Sequence, residues 1–192
     1  GQFGFWRAFG GATERPVSAT ANLGSSFAIL TKTFHKPYPT ASEYTWNSAM
    51  YVTHRLARER GIDYRDVESI EVTVMTKMLS YPGLAFAGPF ENIDQAIASK
   101  PFAIAAIVRT VGFTSDVYLN RLRDADLLAL AQRVRVKGAD DWEGWRCEVV
   151  IRLQDGRTYS GNERMVDKAI FYPDRAGITT KFKTMVAGVI PD

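Results

Sequence analysis

The chain has 192 residues and is 46% hydrophobic, which is enough for one sizeable core. Its 24 basic and 21 acidic residues are interspersed rather than gathered into runs, and this argues against a nucleic-acid partner despite the net charge of +3. One cysteine and two histidines exclude an internal disulfide and a spaced Cys/His metal cluster, so we expect no cofactor.

The ends and apolar runs of the sequence bear on its location. No apolar run approaches the ~20 residues that a membrane-spanning helix needs, and residues 1–7 lack the pattern of a secretory signal. We therefore expect a cytoplasmic protein with no membrane partner. The chain opens at Gly1 rather than Met, which is typical of a processed product or a piece of a longer protein.

The first elements alternate between weak and strong signals. Residues 1–26 are glycine-rich without periodicity, which predicts an irregular connecting segment. A helix is predicted after Pro39, with its natural stop at Gly61. Its apolar stripe at helical spacing comprises Trp46, Ala49, Met50, Thr53, Leu56 and Ala57. Alternation over residues 69–76 then predicts a half-buried strand.

The middle of the chain is mainly helical in pattern. Residues 82–89 contain two prolines and two glycines and are predicted to form a loop that can face a ligand. Residues 93–111 follow a helical pattern, but Pro101 predicts a break near Lys100 because proline lacks a helical donor. Residues 124–132 predict a third helix that runs into a short strand at Val134 and Val136.

The clearest strand signal lies in the last third of the chain. Every odd residue from Trp145 to Leu153 is apolar, and the Asp155-Gly156 pair with the return over residues 157–161 predicts a hairpin. Cys147 falls on the apolar side, which favours a core residue over a nucleophile. A last helix is predicted over residues 176–186. Strands mixed irregularly with helices favour an α+β domain with a mixed or antiparallel sheet packed against several helices.

Residues 35–39 read His-Lys-Pro-Tyr-Pro, a lysine followed closely by an aromatic–proline pair. Further segments follow in order: Ile-Glu-Val-Thr-Val at 70–74, Gln-Ala-Ile-Ala-Ser-Lys-Pro-Phe-Ala-Ile-Ala at 95–105, Leu-Arg-Asp-Ala-Asp-Leu-Leu-Ala-Leu-Ala at 122–131, Leu-Gln-Asp-Gly at 153–156 and Lys-Phe at 181–182. In this order, over roughly residues 1–182, the chain resembles the carboxyl-terminal part of the MmgE/PrpD family, which includes 2-methylcitrate dehydratase, cis-aconitate decarboxylase and iminodisuccinate epimerase.

The resemblance implies a domain organisation. Residues 1–30 would connect to a helical domain that precedes this sequence, residues 31–175 would form a small α+β lid, and residues 176–192 would begin a closing helical segment. Aromatic residues near the start are expected to dock on that helical domain or on a second copy, so we expect a homo-oligomer or association with a helical half. These are Phe3, Phe5, Trp6 and Phe9.

The family's reactions are dehydration, decarboxylation and epimerisation, and each builds negative charge beside a carboxylate. Fixed cations stabilise such charge, so the resemblance implies a small polycarboxylate ligand and assigns Lys36 as the catalytic cation. Relatives often carry His or Cys shortly after the aromatic–proline pair, whereas residues 40–44 here read Thr-Ala-Ser-Glu-Tyr, which leaves the substrate open. The other acid–base groups belong to the helical domain, so the chain alone is expected to be inactive.

Four further residues are candidates for substrate binding. His35, beside Lys36, can polarise a substrate oxygen, with a structural hydrogen bond as its alternative. Tyr81 lies in the loop where relatives present a tyrosine to the ligand. Ser99 and Lys100, at the predicted helix break, can bind a carboxylate through side chains and freed amides, with capping and packing as alternatives.

Three functions compete. The first is the lid portion of a polycarboxylate lyase or isomerase. The second is a non-catalytic binding or assembly module that keeps the lid fold. The third, a nucleic-acid binder, lacks the basic cluster that it would need.

Overall fold

The computed structural model describes residues 38, 40, 44–110, 116–143, 146–163 and 174–186. All of them belong to one compact unit, which spans residues 35–192. The elements, in chain order, are α1 (Tyr44–Arg60), β1 (Val67–Met75), α2 (Ile93–Ala98), α3 (Lys100–Thr110), α4 (Asp116–Asn120), α5 (Ala125–Ala131), β2 (Val134–Ala139), β3 (Cys147–Leu153), β4 (Thr158–Glu163) and α6 (Arg175–Val186). Short 3₁₀ turns at Tyr64–Asp66 and Thr76–Leu79 flank β1.

The four strands form one mixed sheet in the order β2-β1-β3-β4. β1 pairs in parallel with β2 and antiparallel with β3, and β3 pairs antiparallel with β4. The parallel pair requires a long connection, which α2 to α5 supply, since parallel strands cannot be joined by a tight turn. The predicted α+β class with a mixed sheet is therefore confirmed.

The apolar face of the sheet forms the core together with α1 and α3. Ile70, Val72 and Val74 of β1 lie directly opposite Ile151, Val149 and Cys147 of β3, and all six side chains are buried. Cross-strand neighbours of this kind stabilise a sheet where they bury apolar surface together. The predicted apolar faces of both strands are confirmed.

Helix α1 packs on β3 and β4 with its predicted stripe inward, and all six stripe residues are buried. It ends at Gly61, whose φ of +57° is the left-handed conformation that glycine adopts without strain. Gly161 of β4 lies under α1, where an added Cβ would stand 2.8 Å from a methyl carbon of Val52. This close approach fixes α1 over the edge of the sheet.

The predicted break in the long helical pattern is confirmed. α2 ends at Ala98, Ser99 has an extended conformation, and α3 begins at Lys100. Pro101 occupies the second position of α3, where its missing N–H costs no intrahelical hydrogen bond. Nine consecutive residues of α3, Lys100 to Val108, are buried. A helix buried on all sides is central to its domain.

The hairpin, the third helix and the last helix were predicted to within about two residues, and α4 was not predicted. Three predictions lie outside the described residues: the connecting segment 1–30 with its four aromatic side chains, Trp145 in the hairpin, and residues 187–192 at the end of the closing segment. Within the described part of the chain, no helix has both the length and the apolar character needed to cross a membrane.

Candidate functional site

Two features of the unit bring polar side chains together. The first is the junction between α2 and α3, and the second is a cavity along α1. The buried polar or charged residues of the described chain are Thr40, Asn47, Ser48, Thr53, Ser99 and Lys100. Buried polar groups are costly unless they are hydrogen-bonded, so their partners define what each one does.

Ser99 is held by two folding contacts. Its hydroxyl donates a hydrogen bond to the Phe86 carbonyl and accepts one from the Phe102 amide at 3.1 Å. The second contact is an N-terminal cap of α3, because Phe102 is the third residue of that helix. Ser99 therefore joins the loop before α2 to the start of α3.

Lys100 is only 2% exposed, although it carries a long cationic side chain. Its Nζ lies 3.4 Å from the Thr40 hydroxyl oxygen, and its amide donates to the Leu84 carbonyl at 2.9 Å. A lysine is rarely buried to this degree, since desolvation disfavours the ammonium form. The start of α3 therefore carries a buried cationic side chain, which is unusual.

Thr40 connects this junction to the segment that contains Lys36. Its hydroxyl donates to the Ile97 carbonyl at 2.9 Å, and the residue is 6% exposed. Burial raises the pKa of the nearby Tyr118 phenol, and a hydrogen bond with Thr40 opposes that rise. Residue 40 is thus anchored to α2 and to the start of α3.

The second feature is a cavity of about 270 Å³, which we call the α1 cavity. Four of its residues come from one outward face of α1, at the spacing i, i+3, i+4 and i+7. The lining residues are Tyr38, Tyr51, His54, Arg55, Arg58 and Glu59.

Tyr38 and His54 form a hydrogen-bonded pair beside this cavity. The Tyr38 hydroxyl lies 3.3 Å from His54 Nδ1, and the two rings meet edge to face with centroids 6.2 Å apart. Burial first, and the neighbouring Tyr51 second, raise the pKa of Tyr38, so its phenol stays protonated at neutral pH. The pair therefore offers a neutral hydroxyl and an imidazole.

The two arginines of the α1 cavity differ in whether a carboxylate pairs with them. Arg55 forms an ion pair with Glu163 at 2.8 Å, and its guanidinium carbon lies 5.7 Å from the centroid of the Tyr51 ring. Arg58 is exposed, and within the described part of the chain no carboxylate pairs with it. Glu59 is the cavity's own acidic residue.

A second cavity, of about 250 Å³, lies at the 3₁₀ turn before β1, and we call it the Tyr64 cavity. Its lining residues are Tyr64, Arg65, Asp126, Ala129, Leu130 and Arg133. The Tyr64 hydroxyl donates to Asp126 at 3.0 Å, and Arg133 donates to the Val67 carbonyl at 2.6 Å. Its polar groups are engaged with one another and with the fold.

The structure brings only some of the predicted site residues together. Lys36 and His35 lie outside the described residues. The side chain of Tyr81 is exposed on the loop that ends at α2, and its carbonyl accepts a hydrogen bond from Leu84 at 3.2 Å. Ser99 and Lys100 are buried at the α2–α3 junction, so they and the Tyr81 ring differ sharply in exposure.

The α1 cavity was not predicted from the sequence. The signal was present in the spacing of Tyr51, His54, Arg55 and Arg58, which places them on one face of a helix. Tyr38 could not be added from the sequence, because its contact with His54 spans 16 residues and depends on the turn into α1. Cys147 is buried in the core as predicted, and burial raises the pKa of its thiol to about 12.

The fold and these cavities define a small α+β domain with two cavities, each lined by two arginines. No group of three or more metal-binding side chains occurs among the described residues. No protein-family model matches the sequence. No curated protein matches it either.

Proposed function

We propose that the chain is the lid portion of an MmgE/PrpD-type lyase or isomerase that acts on small di- or tricarboxylates. The observation that supports this most is the contact of Thr40 with Ile97 and Lys100. It anchors the residues after Lys36 to the α2–α3 junction, which carries a second, buried lysine. The proposal includes the cytoplasmic location and an association with a helical half or a second copy.

The physical argument concerns charge. Removing a proton or a carboxyl group from a carbon beside a carboxylate concentrates negative charge there, and fixed cations stabilise it. In the proposal Lys36 is the cation that faces this charge. Lys100 contacts the hydroxyl of Thr40, which follows Lys36 by four residues. Dehydration, decarboxylation and epimerisation all share this requirement. The proposal therefore names this class of reactions and does not select one of the three.

A non-catalytic assembly module is the second candidate, and one observation favours it. Ile178 and Phe182 are 53% and 58% exposed and lie four residues apart on α6, so they share a face of that helix. Exposed apolar groups of this kind mark interaction surfaces when they are contiguous. Association through α6 is also compatible with the lyase proposal. A measurement of catalysis distinguishes a lyase lid from an assembly module.

The experiment is a Lys36→Met substitution in the complete enzyme, with the helical domain supplied. We expect roughly a hundredfold loss of turnover on 2-methylcitrate or cis-aconitate, because an oriented cation facing developing charge contributes ~3 kcal/mol. Lys36→Arg is expected to restore little, since a planar guanidinium does not replace a compact ammonium. The melting temperature should change little in either variant.

Lys77→Met is the matched control, because Lys77 is an exposed lysine of the same unit. It should leave both turnover and melting temperature unchanged. Near-normal turnover in Lys36→Met would remove the catalytic assignment. Turnover by the wild-type chain alone would overturn the proposal that its acid–base partners lie in a helical domain.

A further inference from the structure

One outward face of α1 is rich in cationic and aromatic side chains. Tyr51, His54, Arg55 and Arg58 repeat at helical spacing on the side away from the buried stripe. A solvated helix face usually alternates its charges, whereas this one carries two arginines and a histidine in successive turns. Tyr38 lies against the same face and closes one side of the α1 cavity.

The arginines of this face are held differently. Arg55 is oriented by its ion pair with Glu163 and by the Tyr51 ring, so much of its charge is already matched. Arg58 lines the same cavity and is exposed, with no ion pair to any of the described carboxylates. The His54 imidazole and the hydroxyls of Tyr38 and Tyr51 are further polar groups of the cavity, and Glu59 is the acidic residue among its lining residues.

We propose that the α1 cavity binds a small organic acid, with Arg58 holding a carboxylate and the Tyr38–His54 pair hydrogen-bonding to its other oxygens. An arginine fork fits a carboxylate through two parallel hydrogen bonds. Because the Tyr38 phenol stays protonated, it can donate to a carboxylate or a hydroxyl. The residues that carry this proposal do not include Lys36, so it does not depend on the chemistry proposed there.

The size of the cavity selects among anions. Its volume of about 270 Å³ lies just below the range for ligand pockets, ~300–1,000 Å³. A nucleotide or a nucleic-acid strand needs more room, while a di- or tricarboxylate of a few carbons fits. Four of the six lining residues carry charges or an imidazole, so a purely apolar ligand is disfavoured.

The test is calorimetric titration of the full chain with tricarballylate, a tricarboxylate that has no hydroxyl to eliminate. The titration is done in a Lys36→Met background, so that any carboxylate held by Lys36 is not counted. We expect Arg58→Gln to weaken binding by about tenfold or more, because a charge-assisted pair of hydrogen bonds is lost.

Arg60→Gln is the matched control. Arg60 is an exposed arginine of the same helix, but it lies over the Tyr159 ring at 5.7 Å and does not line the cavity. Its removal should change binding by less than about twofold, since screening weakens distant surface charges. Tyr38→Phe should give an intermediate loss with unchanged dependence on salt.

Three results would overturn the inference. They are no binding at millimolar tricarballylate, unchanged binding in Arg58→Gln, and equal losses in Arg58→Gln and Arg60→Gln. Equal losses would mean that tricarballylate is attracted only by the net positive charge of the surface. Since Lys36 is absent throughout, failure here leaves the proposed lyase function standing, and loss of turnover in Lys36→Met says nothing about this cavity.

Discussion

The α1 cavity and the Tyr64 cavity are close in volume, about 270 and 250 Å³, and each is lined by two arginines, a carboxylate and at least one tyrosine. They differ in what these groups contact. In the Tyr64 cavity Arg65 pairs with Asp63 at 3.1 Å and lies over the Tyr64 ring at 4.9 Å. Composition and volume therefore do not distinguish a ligand site from a folding contact, whereas the pairing of each charge does.

Arg109 of α3 shows how charges near the Tyr64 cavity contribute to the fold. It pairs with Asp124 at 2.8 Å and lies 3.7 Å from an Asp126 carboxylate oxygen. Its guanidinium carbon also lies 4.6 Å from the centroid of the Tyr64 ring. One cation thus ties α3 to the start of α5 and to the turn before β1. A network closed in this way stabilises the fold and has little charge left for a ligand.

The largest effect that we expect in this comparison is on stability, from Arg109→Met. The Arg109 and Asp124 side chains are each 18% exposed, so removing the arginine leaves a carboxylate poorly solvated. We predict a loss of about 2–3 kcal/mol in the free energy of unfolding, somewhat below the range for fully buried pairs. Urea denaturation measures it.

Arg65→Met is the control for that substitution. Its side chain is 71% exposed and that of its partner Asp63 is 45% exposed, so the pair should contribute less than about 1 kcal/mol. If both variants lost the same stability, the distinction between a closed network and a surface pair would be wrong.

A smaller effect is predicted for acid stability. Burial tends to raise the pKa of Asp124, but the Leu127 amide and the Arg109 guanidinium lower it more, so the net shift is downward. A carboxylate with a lowered folded-state pKa stabilises the fold above its ordinary pKa, about 3.9. That stability is lost as the pH falls through the lowered value.

Asp124→Asn isolates this contribution, because asparagine keeps the N-terminal cap of α5 that Asp124 provides to Leu127 at 3.1 Å. We expect the variant to be less stable than the wild type at pH 7 and to converge with it near pH 2. Melting curves across this range measure the difference. A gap that stays constant with pH would show that the charge of Asp124 has no part in the stability.

Much of the fold could be predicted from the sequence because the relevant signals are local. The apolar stripe predicted the inward face of α1, and the alternation of apolar and polar residues predicted the buried faces of β1 and β3. Pro101 located the helix break to within two residues. The parallel pairing of β1 with β2 could not be predicted, since it joins strands about sixty residues apart through packing that no local pattern records.

The candidate site was harder to predict, for a physical reason. Lys100 was expected near a ligand because it follows a helix break, but the sequence gives no sign that its side chain is 2% exposed. Its Nζ contacts Thr40, sixty residues earlier in the sequence. Arg58 and Arg65 are equally plausible ligands of a carboxylate in the sequence. Only the neighbours of each distinguish them, and these come from α1 itself in one case and from the turn at Asp63 in the other.

The most direct test of the account is an amide chemical-shift titration of the ¹⁵N-labelled chain with tricarballylate at neutral pH. If the α1 cavity is the carboxylate site, the amides of His54, Arg55, Arg58 and Glu59 should shift in a saturable way. The amides of Tyr64, Arg65 and Asp126 should stay unchanged, because Arg65 is ion-paired, Tyr64 is hydrogen-bonded to Asp126, and Arg133 is hydrogen-bonded to the Val67 carbonyl. Saturable shifts at the Tyr64 cavity instead, or no shifts at either cavity, would contradict the account.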